Sequence, residues 1–146
     1  MRRIDLHIPP REPRCALDVD VAVDGRAIRV ITTHPGLAPW ERRLQVQRLT
    51  EAIVRDPSLL TVVLEDINEW FFLARTLRHL GAPFGQSSRA RTWPSWQPLF
   101  ALDRIWVHSP EALAAVWVHT SPTARCASDH LPLVGMIKVV RSAAPQ

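Results

Sequence analysis

Leu60-Thr61-Val62-Val63-Leu64-Glu65-Asp66-Ile67-Asn68 is a short, almost unbroken apolar run that ends in two carboxylates and an amide. A run of this length and composition predicts a strand buried on both faces. Its polar residues are delivered at its C-terminal end. Upstream, Pro39 opens a helix near the first turn, where a missing N–H costs nothing. Val46, Leu49 and Ile53 follow helical spacing, Arg42, Arg43, Gln45 and Arg48 are expected to be more exposed, and Asp56-Pro57 stops the helix. Further back, Leu17, Val19, Val21 and Val23 alternate with Asp18, Asp20 and Ala22, which predicts a strand with the apolar side chains on its buried face. Asp24-Gly25 is a hairpin turn signal, a second strand runs through Ala27 to Thr32, and His34-Pro35-Gly36 ends it. Residues 1–14, with Pro9, Pro10 and Pro13, read as a connector.

Downstream of the central run, a second helix is expected from about Glu69 to Leu80, closed by Gly81. Residues 82–98 read as irregular. Strands are expected from about Leu99 to Val107 and from Ala114 to His119, followed by a loop through Pro122 and Arg125 to Ser128-Asp129-His130. A last strand, about Leu133 to Val140, precedes a frayed tail, 141–146. The pattern is mixed α/β with strands dominant.

The 146 residues suit one ordinary domain and are too few for two. With 47% hydrophobic and 22% charged residues, disorder and coiled coil are poor readings. No apolar run approaches the roughly 20 residues of a membrane-spanning helix, and the N-terminus lacks the apolar core of a signal peptide. The net charge is +4 and Lys138 is the only lysine, so the basic character is carried by arginine. Those charges are spread along the chain and read as a solvated surface. Cys15 and Cys126 lie far apart, which argues against a thiolate zinc site or a disulfide scaffold. Buried free thiols in a reducing compartment, the cytoplasm, are expected.

His34, Asp66, Asn68, Asp103, Asp129 and His130 all fall at strand ends or interrupt apolar strands. Each has an ordinary reading. His34 suits a turn before Pro-Gly, Asp66 and Asn68 suit a strand end and helix cap, Asp103 could pair with Arg104, and His130 could be structural. As a set they are what metal-assisted phosphoryl chemistry needs. Carboxylates suit hard divalent cations. A carboxylate can deprotonate an attacking water, an imidazolium and an amide can stabilise charge on phosphate oxygens, and a second carboxylate can orient the imidazole.

Four stretches, in order, resemble motifs of the endonuclease/exonuclease/phosphatase (DNase I-like) superfamily. Val30 to Leu37 resembles its strand ending in Thr-His-Leu, and Val62 to Trp70 its Leu-Gly-Asp-Phe-Asn-Glu motif. Leu102 to Val107 resembles Leu-Asp-Arg-Ile-Phe-Val, and Ser128 to Leu133 matches Ser-Asp-His-Leu-Pro. The resemblance implies a four-layered α/β sandwich, mostly antiparallel, with flanking helices. It also implies a Mg²⁺- or Mn²⁺-dependent phosphodiesterase, nuclease or phosphatase. By resemblance Asp66 is the base or water orienter and Asn68 holds the phosphate. His130 stabilises the transition state, Asp103 orients His130, Asp129 lies at the metal side, and His34 contacts phosphate or leaving group.

Two departures stand out. Glu65 replaces the glycine usual before the motif's Asp; it is expected to hinder anionic substrate or be neutral, with metal binding as the other option. The family's N-terminal catalytic Asn and metal-ligating Leu-Gln-Glu have no counterpart before residue 30, where Asp5, Glu12, Asp18 and Asp20 lie in the wrong context. The expectation is therefore a single partial domain over 1–146 that binds metal weakly. The alternative to the hydrolase is a catalytically inactive fragment or binding module. A half-sandwich leaves one apolar sheet face uncovered, which predicts self-association. The substrate class stays open among nucleic acid, phospholipid headgroups and small phosphoesters. Trp93 and Trp96 are expected to pack under a Pro-rich loop rather than stack on substrate, and Arg42, Arg43, Arg89 and Arg91 to be solvated.

Overall fold

The computed structural model describes residues 1–54, 60–68, 84 and 88–139. The stop of the first helix at Asp56-Pro57, the expected second helix over 69–80 and the tail 141–146 lie outside the described residues. Five strands, β1 (Arg2–Asp5), β2 (Cys15–Val23), β3 (Arg26–Thr33), β4 (Leu60–Asp66) and β5 (Asp103–Val107), form one sheet in the order β1-β2-β3-β4-β5. All neighbours are antiparallel except β3 and β4, which run parallel. A parallel pair needs a crossover, and helix α1 (Pro39–Val54) lies in that connection. A second, two-stranded antiparallel sheet consists of β6 (Leu113–Val118) and β7 (Leu133–Ile137). This is the mixed α/β fold with flanking helices expected from the sequence.

Strand alternation sends successive side chains to opposite faces, so the five-stranded sheet has two cores. On one face Ala16, Ile31, Val63 and Trp106 pack against Val46, Leu49 and Ile53 of α1. On the other, Ile28, Val62, Ile105 and Val107 pack against the β6–β7 layer through Leu113, Leu133 and Ile137. The β2–β3 turn is carried by Asp24 at φ 50° and Gly25 at φ 76°, the paired positive dihedrals that a two-residue hairpin demands.

Several expectations are corrected. Residues 2–5 are not connector: Ile4, Leu6 and Ile8 alternate, β1 pairs with β2, and Leu6 and Ile8 are buried. The alternation in β2 is real, but its faces are reversed. Ala16 and Asp18 point into the α1 core, while Leu17, Val21 and Val23 are exposed on the other face. Asp18 is tolerated inside because Arg29 meets it with two bonds, Nε to Oδ1 at 3.0 Å and an NH2 to Oδ2 at 2.8 Å. The same guanidinium donates to the carbonyls of Ala52 and Ile53 at the end of α1. Leu64 in β4 is exposed rather than buried. The loop at Pro122 is a short helix, α2 (Pro122–Ala127), with Pro122 in its first turn and the Ser121 hydroxyl accepting from Ala124 N at 3.1 Å. Leu99 to Leu102 precede β5 rather than belonging to it. Cys15 is half-buried and Cys126 exposed, both free, so the thiols are not buried.

Arg42 and Gln45 are also buried. Gln45 Oε1 accepts from Gly36 N at 2.7 Å, Gln45 Nε2 donates to Glu41 Oε1, and Arg42 donates to the carbonyls of Gly36 and Leu37. A Cβ on Gly36 would run into the Glu41 carboxylate. These polar residues of α1 thus clamp the His34-Pro35-Gly36 turn, and Arg42 is unavailable to solvent or phosphate.

Candidate active site

The parallel β3–β4 pair sets Thr33 beside Glu65, so the next residues, His34 and Asp66, emerge together at the strand ends. Antiparallel pairing of β4 and β5 sets Asp66 directly opposite Asp103. The segment entering β7 brings Asp129 and His130 to the same place. The result is a cleft of about 580 Å³ lined by His34, Asp66, Asn68, Trp93, Asp103, Ser128, Asp129 and His130. His130 Nδ1 lies 2.8 Å from Asp103 Oδ2, and its Nε2 lies 3.8 Å from Asp66 Oδ2. His34 Nδ1 is 3.2 Å from the Asp66 carbonyl, which can only accept, so this nitrogen donates. Asn68 adopts φ 47°, a left-handed conformation that Asn tolerates. There its N–H and side-chain amide both reach the Asp66 carboxylate, at 3.2 and 3.4 Å.

No family model matches the chain. The uncharacterised protein YbhP of Escherichia coli is 33% identical over 116 residues, 75% of this chain and 46% of YbhP. The chain therefore spans about half the length of the curated relatives it matches. A functionally unknown conserved protein from Enterococcus faecalis V583 superposes with a TM-score of 0.76 at 19% identity, over 93% of this chain and 64% of that one. An endonuclease/exonuclease/phosphatase from Bacteroides vulgatus superposes with a TM-score of 0.71 at 14% identity, over 92% and 62%. This chain has the endonuclease/exonuclease/phosphatase fold.

Of the residues singled out from sequence, the fold brings His34, Asp66, Asn68, Asp103, Asp129 and His130 into one cleft. It does not bring Glu65, the other residue considered for metal. Glu65 follows strand alternation onto the α1 face, where it is 4% exposed. Its backbone is ordinary strand, so no glycine is required there. Burial, reinforced by the Asp66 charge and opposed by Arg42, pushes its carboxyl up to about 8. Asp103 is not paired with Arg104, which turns to the α1 face and donates to the Ser88 carbonyl; it accepts instead from His130 and from the Thr92 hydroxyl.

Sequence reasoning missed Thr92, Trp93 and Ser128 as parts of the site. Trp93 lines the cleft and its Nε1 donates to Asp129 Oδ2 at 3.3 Å, while its ring packs tilted on Phe100. Trp96, expected to pack under the loop, is 72% exposed. Their position between prolines was the available signal, but only the fold shows which ring meets the cleft.

Burial raises the Asp66 carboxyl above the usual carboxylate range, and Asp103 adds to it; His130, His34 and the Asn68 N–H oppose the rise. For His130, burial alone would lower the imidazole. The hydrogen bond to Asp103 and the charges of Asp103, Asp66 and Asp129 outweigh it and raise the group above 6.5. Asp66, Asp103 and His130 bring one ligand atom each within 4.8 Å of one another. Three carboxylates in one cleft are a donor set that fits a hard divalent cation.

Proposed function

We propose that this cleft hydrolyses phosphoesters by metal-assisted, in-line attack of water. The observation that supports this reading best is the facing pair Asp66 and Asp103, with His130 hydrogen-bonded to one and close to the other. Like charges directly opposite one another destabilise a sheet unless something positive is shared between them. Carboxylate oxygens of Asp66, Asp103 and Asp129 would hold Mg²⁺ or Mn²⁺, which would supply Lewis-acid stabilisation of phosphate charge.

The protein's own groups take the remaining roles. Asp66, its carboxyl raised by burial, accepts the proton of the attacking water. Asn68 offers its amide to the phosphate. His130, whose charged form Asp103 favours, donates to the oxygens on which negative charge grows. His34 is anchored through Nδ1, which leaves Nε2 for phosphate or leaving group. Asp129, fixed by Trp93, completes the carboxylate rim.

We further read residues 1–146 as one domain acting in the cytoplasm, where Cys15 and Cys126 stay reduced. Leu17, Val21, Val23 and Leu64 form an exposed apolar strip that favours self-association. Nucleic acids and small phosphoesters are both candidate substrates.

The test is Mg²⁺-dependent hydrolysis of bis(p-nitrophenyl) phosphate by the full chain, beside Asp66→Ala and His130→Ala. The expected result is a loss of at least about 100-fold in each variant. Absence of turnover in the wild type, or turnover indifferent to chelator and to both substitutions, refutes the hydrolase.

A further inference from the structure

Thr92 lies outside every motif singled out in the sequence, yet its side chain reaches into the chemistry. Its hydroxyl donates to Asp103 Oδ2, the same oxygen that accepts from His130 Nδ1 at 2.8 Å. A carboxylate oxygen has no hydrogen to give, so the hydroxyl hydrogen must point at Asp103. Thr92 is fully buried at 0% exposure. Its backbone is tied on both sides: its N–H donates to the Phe100 carbonyl at 2.9 Å, and its carbonyl accepts from Leu131 N at 2.9 Å. It therefore bridges the segment leading to Asp103 and the segment carrying His130.

The terminal torsion of an Asp side chain has a broad, roughly two-fold preference. One donor on a carboxylate leaves it free to swing about that bond. A second donor from a fixed backbone takes that freedom away. We propose that Thr92 is a positioning residue: its hydroxyl holds the Asp103 carboxylate in the rotation that keeps Oδ2 on His130, and thereby keeps the imidazole aimed into the cleft. The adjoining residue does the same for the neighbouring carboxylate, since Trp93 Nε1 donates to Asp129 and Ser95 N donates to the Asp129 carbonyl at 2.7 Å. The 92–95 segment is thus a buttress for two of the three carboxylates.

This inference rests on the hydrolase reading, and the test separates the two. Thr92→Val removes the hydroxyl at nearly constant volume, and Thr92→Ser keeps it. With bis(p-nitrophenyl) phosphate and Mg²⁺, Thr92→Val is expected to lower kcat about 10- to 100-fold with KM little changed. Thr92→Ser is expected to stay within a few-fold of wild type. A Thr92→Val variant as active as wild type, or a Thr92→Ser variant as impaired as Thr92→Val, overturns the inference while the hydrolase stands.

A second measurement needs neither turnover nor a variant. In metal-free wild-type protein, NMR should show a Thr92 hydroxyl proton protected from exchange and coupled to the Asp103 carboxylate carbon. A freely exchanging hydroxyl overturns the inference. If the wild type lacks Mg²⁺-dependent turnover, or Thr92→Val fails to melt cooperatively, this measurement decides.

Discussion

Glu65→Gln isolates the energetic consequence of a carboxyl placed on the wrong face for chemistry. Glu65 has 4% exposure, and neither of its oxygens has a hydrogen-bond partner among the described residues. Burial pushes it from 4.5 to about 8. Between those values the folded chain holds a proton that the unfolded chain has released. Stability therefore falls as pH rises through this window and levels off above the folded value. Each pKa unit corresponds to about 1.4 kcal/mol, so near pH 7 ionisation of the unfolded chain costs folding about 3 kcal/mol. Gln is the nearest neutral mimic of the protonated carboxyl. In urea melts with chelator present, Glu65→Gln should match wild type near pH 4. Near pH 7 it should be more stable by about 3 kcal/mol. Metal-dependent turnover should be unchanged, because the side chain faces α1 and not the cleft. Parallel pH curves for the two proteins, or a variant that is less stable throughout, would refute the burial argument. A selective loss of Mg²⁺ affinity would return Glu65 to the metal site.

Three further outcomes are expected. Asp18→Ala leaves the Arg29 guanidinium buried without its carboxylate and should cost about 3–5 kcal/mol in urea melts. The Arg29 hydrogen bonds hold Asp18 below 3.8, so its contribution is present above that value and is lost in wild type as pH falls through the lower folded one; an Asp18→Ala, Arg29→Met double variant should recover much of the loss. Asp103→Asn removes the hydrogen bond and the charge that oppose burial most at His130 and leaves only the Asp66 and Asp129 charges against it, so the alkaline limb of the pH–rate profile should move to lower pH; a limb that does not move counts against the role of His130. Light scattering should show concentration-dependent association that Leu17→Lys with Val21→Lys abolishes, and a monodisperse wild-type monomer would rule this out.

Much of the site was legible because its residues sit where strand pattern breaks. Asp103 interrupts an apolar stretch of sequence where β5 begins, and Asp66 and Asn68 lie at and just beyond the end of β4. Costly positions for polar groups stand out against hydrophobic periodicity. Thr92 did not stand out, because a threonine among prolines and tryptophans has many ordinary uses and its role depends on a carboxylate distant in sequence. Arg42 and Gln45 were misjudged for a related reason. A helix wheel locates the apolar stripe, but it does not reveal that a glycine turn will supply buried polar partners beside it.

The β2 strand shows the same division. Alternation of Leu17, Val19, Val21 and Val23 with Asp18 and Asp20 determined a strand of period two, and nothing local determined which side faced inward. The apolar side looked like the inner one. The tertiary structure decided otherwise, because Arg29 on β3 offers Asp18 a bidentate partner under α1. By itself the sequence determined most of the elements, β1 and α2 excepted, together with the order of the motifs and the chemical character of the site. Register and face were decided only by the assembled sheet. Pairing Asp66 with Asp103, turning Glu65 away and placing Thr92 behind Asp103 all depend on contacts between segments far apart in the chain.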